Sequence, residues 1–595
     1  MRNRLLLGVL AMALLVSCKS SSPAPDAASS PTSATPPAAA TSPAAVPAAA
    51  VPPALPPGPP VLPAELVALP DLPSRVARQL RVRLDFDEGL LPPAERAALK
   101  KLTEAALLMD ELFLRQVDER NPALRLALAA DPAQQDALRL FDMMAGPWDR
   151  LDGDKPFLGT RAKPKGAAFY PAGMTVEAFQ AHLQANPGDK EAFSGYFSVI
   201  REEGGRLQAI PYSRYYGATL EKAAGLLEEA AAAASDGRLA RYLRARAKAF
   251  RTDDYFESDM LWMDLGDGLL EVVIGPYEVY EDGLFGYKAA FESFLAIRDP
   301  QDSARLSSLI AAIPALDAKL PLPPPYKAEP RGMESPLSVV VLVFSAGDAK
   351  AGVQTLAFNL PNDEKVRQAK GSKKVMLRNV AEAKFNGILM PIARALMVPE
   401  QLPDVTFDAF FNHTLLHEIA HGLGPGILTL SDGTKSDVGR ELKDLYSAIE
   451  ETKADILGMW GSHQLVDRGD LPPEFAKQLY AAALAGLFRS MRFGMHEAHG
   501  RANLIQFNWL LKHGGIARGA DGRYRVEYGK IRTAVEDLAR TLLVIEARGS
   551  YVEAKQLIDE YATIPPGLEE AFASLTGIPV DITPDYALLR KYQAW

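Results

Sequence analysis

The chain has 595 residues, 48% of them hydrophobic and 23% charged, enough for a large core divided among more than one structural unit. A net charge of −9 argues against a nucleic-acid binder. The single cysteine leaves no internal disulfide to form.

Residues 1–17 read as an export signal. Arg2 and Arg4 precede a short apolar run, Leu5 to Val16, which ends in Leu15-Val16-Ser17-Cys18. That tetrapeptide is similar to a bacterial lipobox and predicts cleavage before Cys18 and lipid attachment to its sulfur; a chance cysteine in a plain signal peptide is the alternative. Lys19, in place of Asp, fits sorting to the outer membrane, so the expectation is an exported protein anchored by lipid and facing the periplasm or the surface. Residues 18–65 are Pro, Ala, Ser and Thr with almost nothing to bury, a tether that could reach up to roughly 140 Å.

From Leu66 to Asp142 the pattern is helical, with apolar residues at 3–4 spacing from Leu102 to Leu114. Ala218 to Phe250 is helical with a break near Asp236-Gly237. Val272 to Asp282 reads as strand and loop around Gly275-Pro276, and Leu337 to Phe344 as a buried strand leading to Thr355–Asp363. From Val375 helices return and dominate to Ala562, followed by a short irregular tail. There is no internal repeat and no phosphate-binding glycine loop.

The chemistry gathers at His417-Glu418-Ile419-Ala420-His421. On a helix, positions i and i+4 share a face, so both histidines can put a ring nitrogen on one Zn²⁺, with Glu418 beside the water it activates. Leu415, Leu416, Ile419 and Ala420 bury the helix, and the Gly422/Gly424/Pro425/Gly426 cluster ends it. Downstream, Glu451 and Asp455 share one face of a second helix. One of them can ligate the metal while the other accepts a hydrogen bond from a ligand histidine's far nitrogen; a solvated acidic face is the bland alternative. His413 completes a histidine stripe, but at about 12 Å along the axis from His421 it is too far to share that metal. His496 and His499 follow, near enough in sequence to serve the same site or to be ordinary surface histidines.

Taken together these segments resemble the dipeptidyl-peptidase III family of zinc exopeptidases. Glu450-Glu451-Thr452-Lys453-Ala454-Asp455 is similar to its Glu-Glu-x-x-Ala-acid motif, Ala498-His499-Gly500-Arg501-Ala502 to its Ala-His segment, Asn359-Leu360-Pro361-Asn362 to its Asn-x-Pro-Asn loop and Glu278-Val279-Tyr280 to its Glu-x-Tyr pair. Lys530-Ile531-Arg532 and Glu560-Tyr561-Ala562 also fit, in the family's order. The five-residue zinc motif is the shorter of the two family forms, Asn503 stands where the family has Arg, and the basic residues that grip the peptide's far end have no clear match after Tyr561.

The resemblance implies one Zn²⁺ held by His417, His421 and Glu451, with Asp455 and Glu450 behind the ligands. Glu418 would act as base, and His499 would help at the transition state. Glu278 and Tyr280 would hold the N-terminal end of a peptide substrate, and Asn359 and Asn362 would bond its backbone. It implies a predominantly helical α+β fold in two lobes around a cleft, one all-helical and holding the zinc, the other mixed with a small sheet or barrel. Residues 66–300 and 346–385 would form mainly the mixed lobe, 301–345 the zinc lobe or a connection, 386–565 the helical zinc lobe and 566–595 a tail. The function implied is release of dipeptides from the free N-terminus of short peptides. The rival readings are a thermolysin-like endopeptidase or aminopeptidase and a lipid-anchored peptide-binding protein without turnover. Oligomeric state stays open.

Overall fold

The computed structural model describes Leu62 and residues 66–326, 336–430, 433–492 and 498–592. The signal peptide, Cys18, nearly all of the tether and His496 lie outside them.

After a short helix, Leu72–Val76, the chain departs from expectation. Gln79–Leu84 is a strand, β1, inside the stretch expected to be helical. Leu80, Val82 and Leu84 alternate with Arg81 and Arg83, a period of two that suits one buried face. Helix α1 (Pro93–Val117) follows, with Pro93 at its first position and Leu99, Leu102, Ala106, Met109 and Phe113 buried in one stripe. Helices α2 (Gly217–Ala233) and α3 (Gly237–Thr252) are separated where expected, because the Asp236 side chain accepts the Arg238 amide and starts a new helix.

Helix α1, with α2 packed behind it, covers a sheet of strands β2 (Leu270–Glu278), β3 (Ala290–Arg298), β4 (Leu337–Gly347), β5 (Ala357–Leu360) and β6 (Lys373–Leu377). Its five strands run in the order β2-β3-β4-β6-β5. All neighbours are antiparallel except β4 and β6. The apolar run expected to be a buried strand is β4, so the end of the 301–345 stretch lies in the middle of the sheet. Gly275-Pro276 does not end β2. Pro276 is tolerated because β2 is an edge strand, and the register shifts between Pro276 and Glu278. The sheet is open: among the described residues no ladder joins β2 to β5. A side-chain bond, from Asn362 Nδ2 to the Tyr277 carbonyl at 3.1 Å, bridges the two edges.

The second unit is helical. Helix α4 (Phe407–Ala420) is capped by Thr406, whose hydroxyl accepts the Ala409 amide. Helices α5 (Tyr446–Arg468) and α6 (Phe475–Met491) pack against it, and α7 (Ala498–Lys512) and α8 (Ile531–Arg548) pack against α5. Two short hairpins, Ile427–Thr429 with Lys435–Asp437 and Ile516–Arg518 with Tyr524–Val526, interrupt these helices. The closing stretch is not irregular: Asp581–Tyr586 forms strand β7, parallel to β1. One continuous hydrophobic core runs through both units from Leu84 to Leu589. Among the described residues no helix is long and apolar enough to cross a membrane.

Candidate active site

Helices α4 and α5 meet at Gly458. A Cβ there would lie 3.1 Å from the His417 amide nitrogen and 3.1 Å from His413 Cδ2, so a larger residue would have to push the helices apart by a few tenths of an ångström. The approach places the α5 carboxylates against the α4 histidines. His417 Nε2 and His421 Nε2 are 3.2 Å apart, and Glu451 Oε2 is 3.5 Å from His417 Nε2. One ligand atom from each of His417, His421 and Glu451 lies within 4.8 Å of the others.

The far side of each ring is fixed. His417 Nδ1 is 2.6 Å from Asp455 Oδ1, and His421 Nδ1 is 2.7 Å from Glu450 Oε1. A ring that donates its Nδ1 proton to a carboxylate turns a lone pair outward at Nε2. Two lone pairs and a carboxylate oxygen thus converge, all acceptors in a buried space. A tetrahedral zinc with bonds of about 2.0–2.1 Å needs donor separations of about 3.3 Å. The donor set therefore fits a divalent cation.

The carboxylates are held ionised. Burial opposes the charge on Glu451, but the imidazoles of His417 and His499 hold its carboxyl well below the usual range. Burial likewise opposes Asp455, which the His417 ring brings down to about 2. Lys453 and His421 keep Glu450 low against its burial, with Lys453 Nζ 2.8 Å from Glu450 Oε1. Gln506 Nε2 donates to Asp455 Oδ2 at 2.8 Å, and His413 bonds the Asp455 carbonyl at 3.0 Å, behind the metal position rather than at it.

Glu418 is 5% exposed. Burial raises its pKa, and Lys374 with the two imidazoles overcomes that and lowers it. His499, on α7, brings Nε2 to 3.3 Å from Glu451 Oε2. Burial alone would make this imidazole less basic, but the Glu451 carboxylate more than offsets it.

The expected substrate residues lie on or just after the two edge strands of the sheet, β2 and β5, which the Asn362–Tyr277 bond brings together. Glu278 ends β2 just past its bulge, and Tyr280 follows, 38% exposed. Asn359 lies on β5, its Oδ1 buried without a hydrogen bond, and Asn362 is tied to Tyr277 beside Glu278. Two further acids, missed in the sequence, share this region. Burial, together with the charges of Glu278 and Asp348, pushes Glu292 well above the usual carboxyl range, and burial pushes Asp348 up to about 7. The strand register supplies the signal, since Glu292 on β3 pairs with Gly347, the residue before Asp348. Lys374, also missed, links the two groups: it stands opposite Asn359 on β6 and reaches Glu418. A cavity of about 800 Å³, lined by residues including Glu119, Arg161, Tyr170 and Arg201, contains none of these groups.

Comparison with known proteins gives the same answer as the geometry. The profile of peptidase family M49 matches residues 209–453. A solved structure of DPP III from Caldithrix abyssi is 50% identical, with a TM-score of 0.85 over 87% of this chain and 100% of that one. Dipeptidyl-peptidase III from Corallococcus sp. strain EGB is 41% identical, with a TM-score of 0.73 over 89% of this chain and 99% of that one. A curated relative from Arabidopsis thaliana, called Nudix hydrolase 3, is 37% identical over 87% of this chain and 74% of its own length. The chain belongs to peptidase family M49, the dipeptidyl peptidase III family, and is a metallopeptidase of that type.

Proposed function

We propose that this chain releases dipeptides from the free N-terminus of short peptides with one zinc ion held by His417, His421 and Glu451. The observation that carries the reading is the convergence of His417 Nε2, His421 Nε2 and Glu451 Oε2 as buried acceptors. Asp455 and Glu450 orient the two rings from behind. When bound, zinc supplies Lewis-acid polarisation and a water of lowered pKa. Glu418 takes a proton from the attacking water and delivers it to the leaving amine. His499, kept basic by Glu451, donates to the developing oxyanion of the scissile carbonyl.

Glu278 pairs with the substrate's α-ammonium, beside Glu292, whose carboxyl is held well above the usual range by burial and the Glu278 charge. Asn359 and Asn362 bond the peptide backbone, and Tyr280 lies beside them. A fixed distance from ammonium to metal then sets the length released. The test uses peptides with free and with acetylated N-termini. Mass analysis should find dipeptides from the free peptides and little cleavage of the acetylated ones. Glu278→Gln should raise KM for the free peptides and leave the residual cleavage of acetylated ones unchanged. Equal weakening of both would remove Glu278 as the anchor.

Lipid on Cys18 and the 18–65 tether would hold the enzyme to a bacterial membrane, with the outer membrane as the expected site. Cys18→Ser should move the protein out of the membrane fraction or block its processing. A mature N-terminus at another residue, without lipid, would contradict the anchor.

A further inference from the structure

Lys374 lies on β6, paired across the sheet with Asn359 of β5. Its ammonium bonds the end of α4, 44 residues away, donating to Glu418 Oε2 at 2.9 Å and to the Glu418 backbone carbonyl at 3.1 Å. The second bond has a local reason. Helix α4 stops at Ala420, and the Gly422 amide, which a further turn would aim at the Glu418 carbonyl, bonds Ile419 instead. The last carbonyls of a helix need donors from outside and favour a cation. Here the cation comes from the sheet, and it also grips the side chain of the residue whose carbonyl it caps. The site is largely closed, with the Lys374 side chain 15% exposed and that of Glu418 3%. A carboxylate bound to an ammonium that is itself fixed to the same residue's backbone is held to a narrow range of side-chain orientations.

We propose that Lys374 is a positioning residue that aims the Glu418 carboxylate, and that it makes this aim depend on the sheet being docked against α4. The inference rests on the reading of Glu418 as the base. Because Lys374 and Asn359 face each other in one ladder, the segment assigned to hold the peptide and the segment that aims the base move as a unit. Seating of a substrate at β5 is thereby transmitted to Glu418 through a single strand. The sequence has no local signal for this contact, since it joins a strand to a helix terminus across the fold.

The experiment replaces Lys374 with Met, which keeps the aliphatic stem and removes the donor, in both the native and the Glu418→Gln backgrounds. Zinc content, steady-state kinetics on a peptide with a free N-terminus, and hydrogen exchange of Lys373–Leu377 and Phe407–Ala420 are measured on each. Zinc should remain at the native stoichiometry, KM should change by less than about threefold, and kcat should fall by about 10- to 100-fold. Exchange should rise in both segments. In the Glu418→Gln background the same substitution should lower kcat no further, because a residue acting only through Glu418 has nothing left to aim. Lys374→Gln, which keeps a shorter donor, should lie between Lys374 and Met. An unchanged kcat in Lys374→Met, an equal loss in both backgrounds, or loss of zinc would overturn the proposal. A Glu418→Gln variant that retains native kcat would instead remove the base assignment itself, so the two failures are separable.

Discussion

At the level of single residues, Glu418 and Glu451 stand near the same metal position but have different partners, and their variants separate their roles. Glu451 contributes one of three converging donor atoms, whereas Glu418 is clasped by Lys374 and is not among them. Glu451→Ala removes a ligand, so zinc content measured by elemental analysis should fall and activity with it. Glu418→Gln keeps the shape and removes the base, so zinc should stay bound while kcat falls by at least about 10²-fold. Stripping the metal with a chelator should lower Tm, and added zinc should restore it, because an ion that binds only the folded state stabilises it. A Tm indifferent to chelation would contradict a buried zinc site. The donors were legible in the sequence because helix geometry fixes i,i+4 neighbours and because two acids one turn apart on an apolar face need a partner. Asp455 and Glu451 could not be told apart on spacing alone; the structure separates them by a 2.6 Å contact behind His417 for Asp455 and a place among the converging donors for Glu451. Lys374, Lys453, Glu292 and Asp348 were not legible, since each acquires its role from residues on other elements or, for Lys453, from the burial of an ordinary-looking Glu-Glu-Thr-Lys run.

At the level of elements, the site exists because α4 and α5 approach closely, and Gly458 is where they touch. A methyl at this position would press on the His417 amide and, at 3.3 Å, on the His413 carbonyl, both backbone atoms of α4 that cannot swing aside. Gly458→Ala should gain about 1 kcal/mol in helix propensity and lose about 1–3 kcal/mol to overpacking, for a net loss of stability. Its more specific effect should be on the metal. Moving α5 outward carries Glu451 and Asp455 away from His417 together, so zinc affinity measured by chelator competition should weaken more than Tm falls. Native zinc affinity in Gly458→Ala would show that the helices tolerate the methyl. The helices themselves were legible from their apolar periodicity, and β4 from its unbroken apolar run. Gly275-Pro276 misled, because a Gly-Pro pair suggests a loop unless the strand is known to lie on an edge, which depends on the whole sheet. β1 carried a clear alternation in Leu80-Arg81-Val82-Arg83-Leu84, but it is short and neighbours a long helical pattern.

At the level of the whole molecule, the two ends of the described chain are joined by β1 and β7, which pair Arg81 with Thr583 and are further tied by a side-chain bond from Arg81 to Asp585, a separation of 504 residues. β7 could not be read in advance: Asp581-Ile582-Thr583-Pro584-Asp585-Tyr586 has two large apolar residues and a proline, and becomes a strand only when β1 supplies a template. Its anchor is Asp581. The carboxylate accepts the Gln354 amide at 2.7 Å and pairs with Lys384 Nζ at 2.7 Å, with both side chains fully buried. Burial lowers the Lys384 pKa to about 8, with Asp581 opposing the drop and Arg489 adding to it. Asp581→Asn preserves the shape but leaves the ammonium without its counter-charge, which costs about 3–5 kcal/mol when the lysine stays protonated. The sign of the pH dependence follows. Without Asp581 the folded-state pKa of Lys384 falls further below its unfolded value, so the folded protein binds fewer protons than the unfolded chain, and the variant gains stability as pH rises through its lowered folded pKa. The native protein gains in the same way only from about pH 8 upward. The deficit of Asp581→Asn, measured as the difference in denaturant midpoint from the native protein, should therefore be largest at low pH, shrink as pH rises toward about 8 and level off beyond it. A deficit constant across roughly pH 6 to 9 would mean that Lys384 does not carry the buried charge and that β7 is held by its ladder alone.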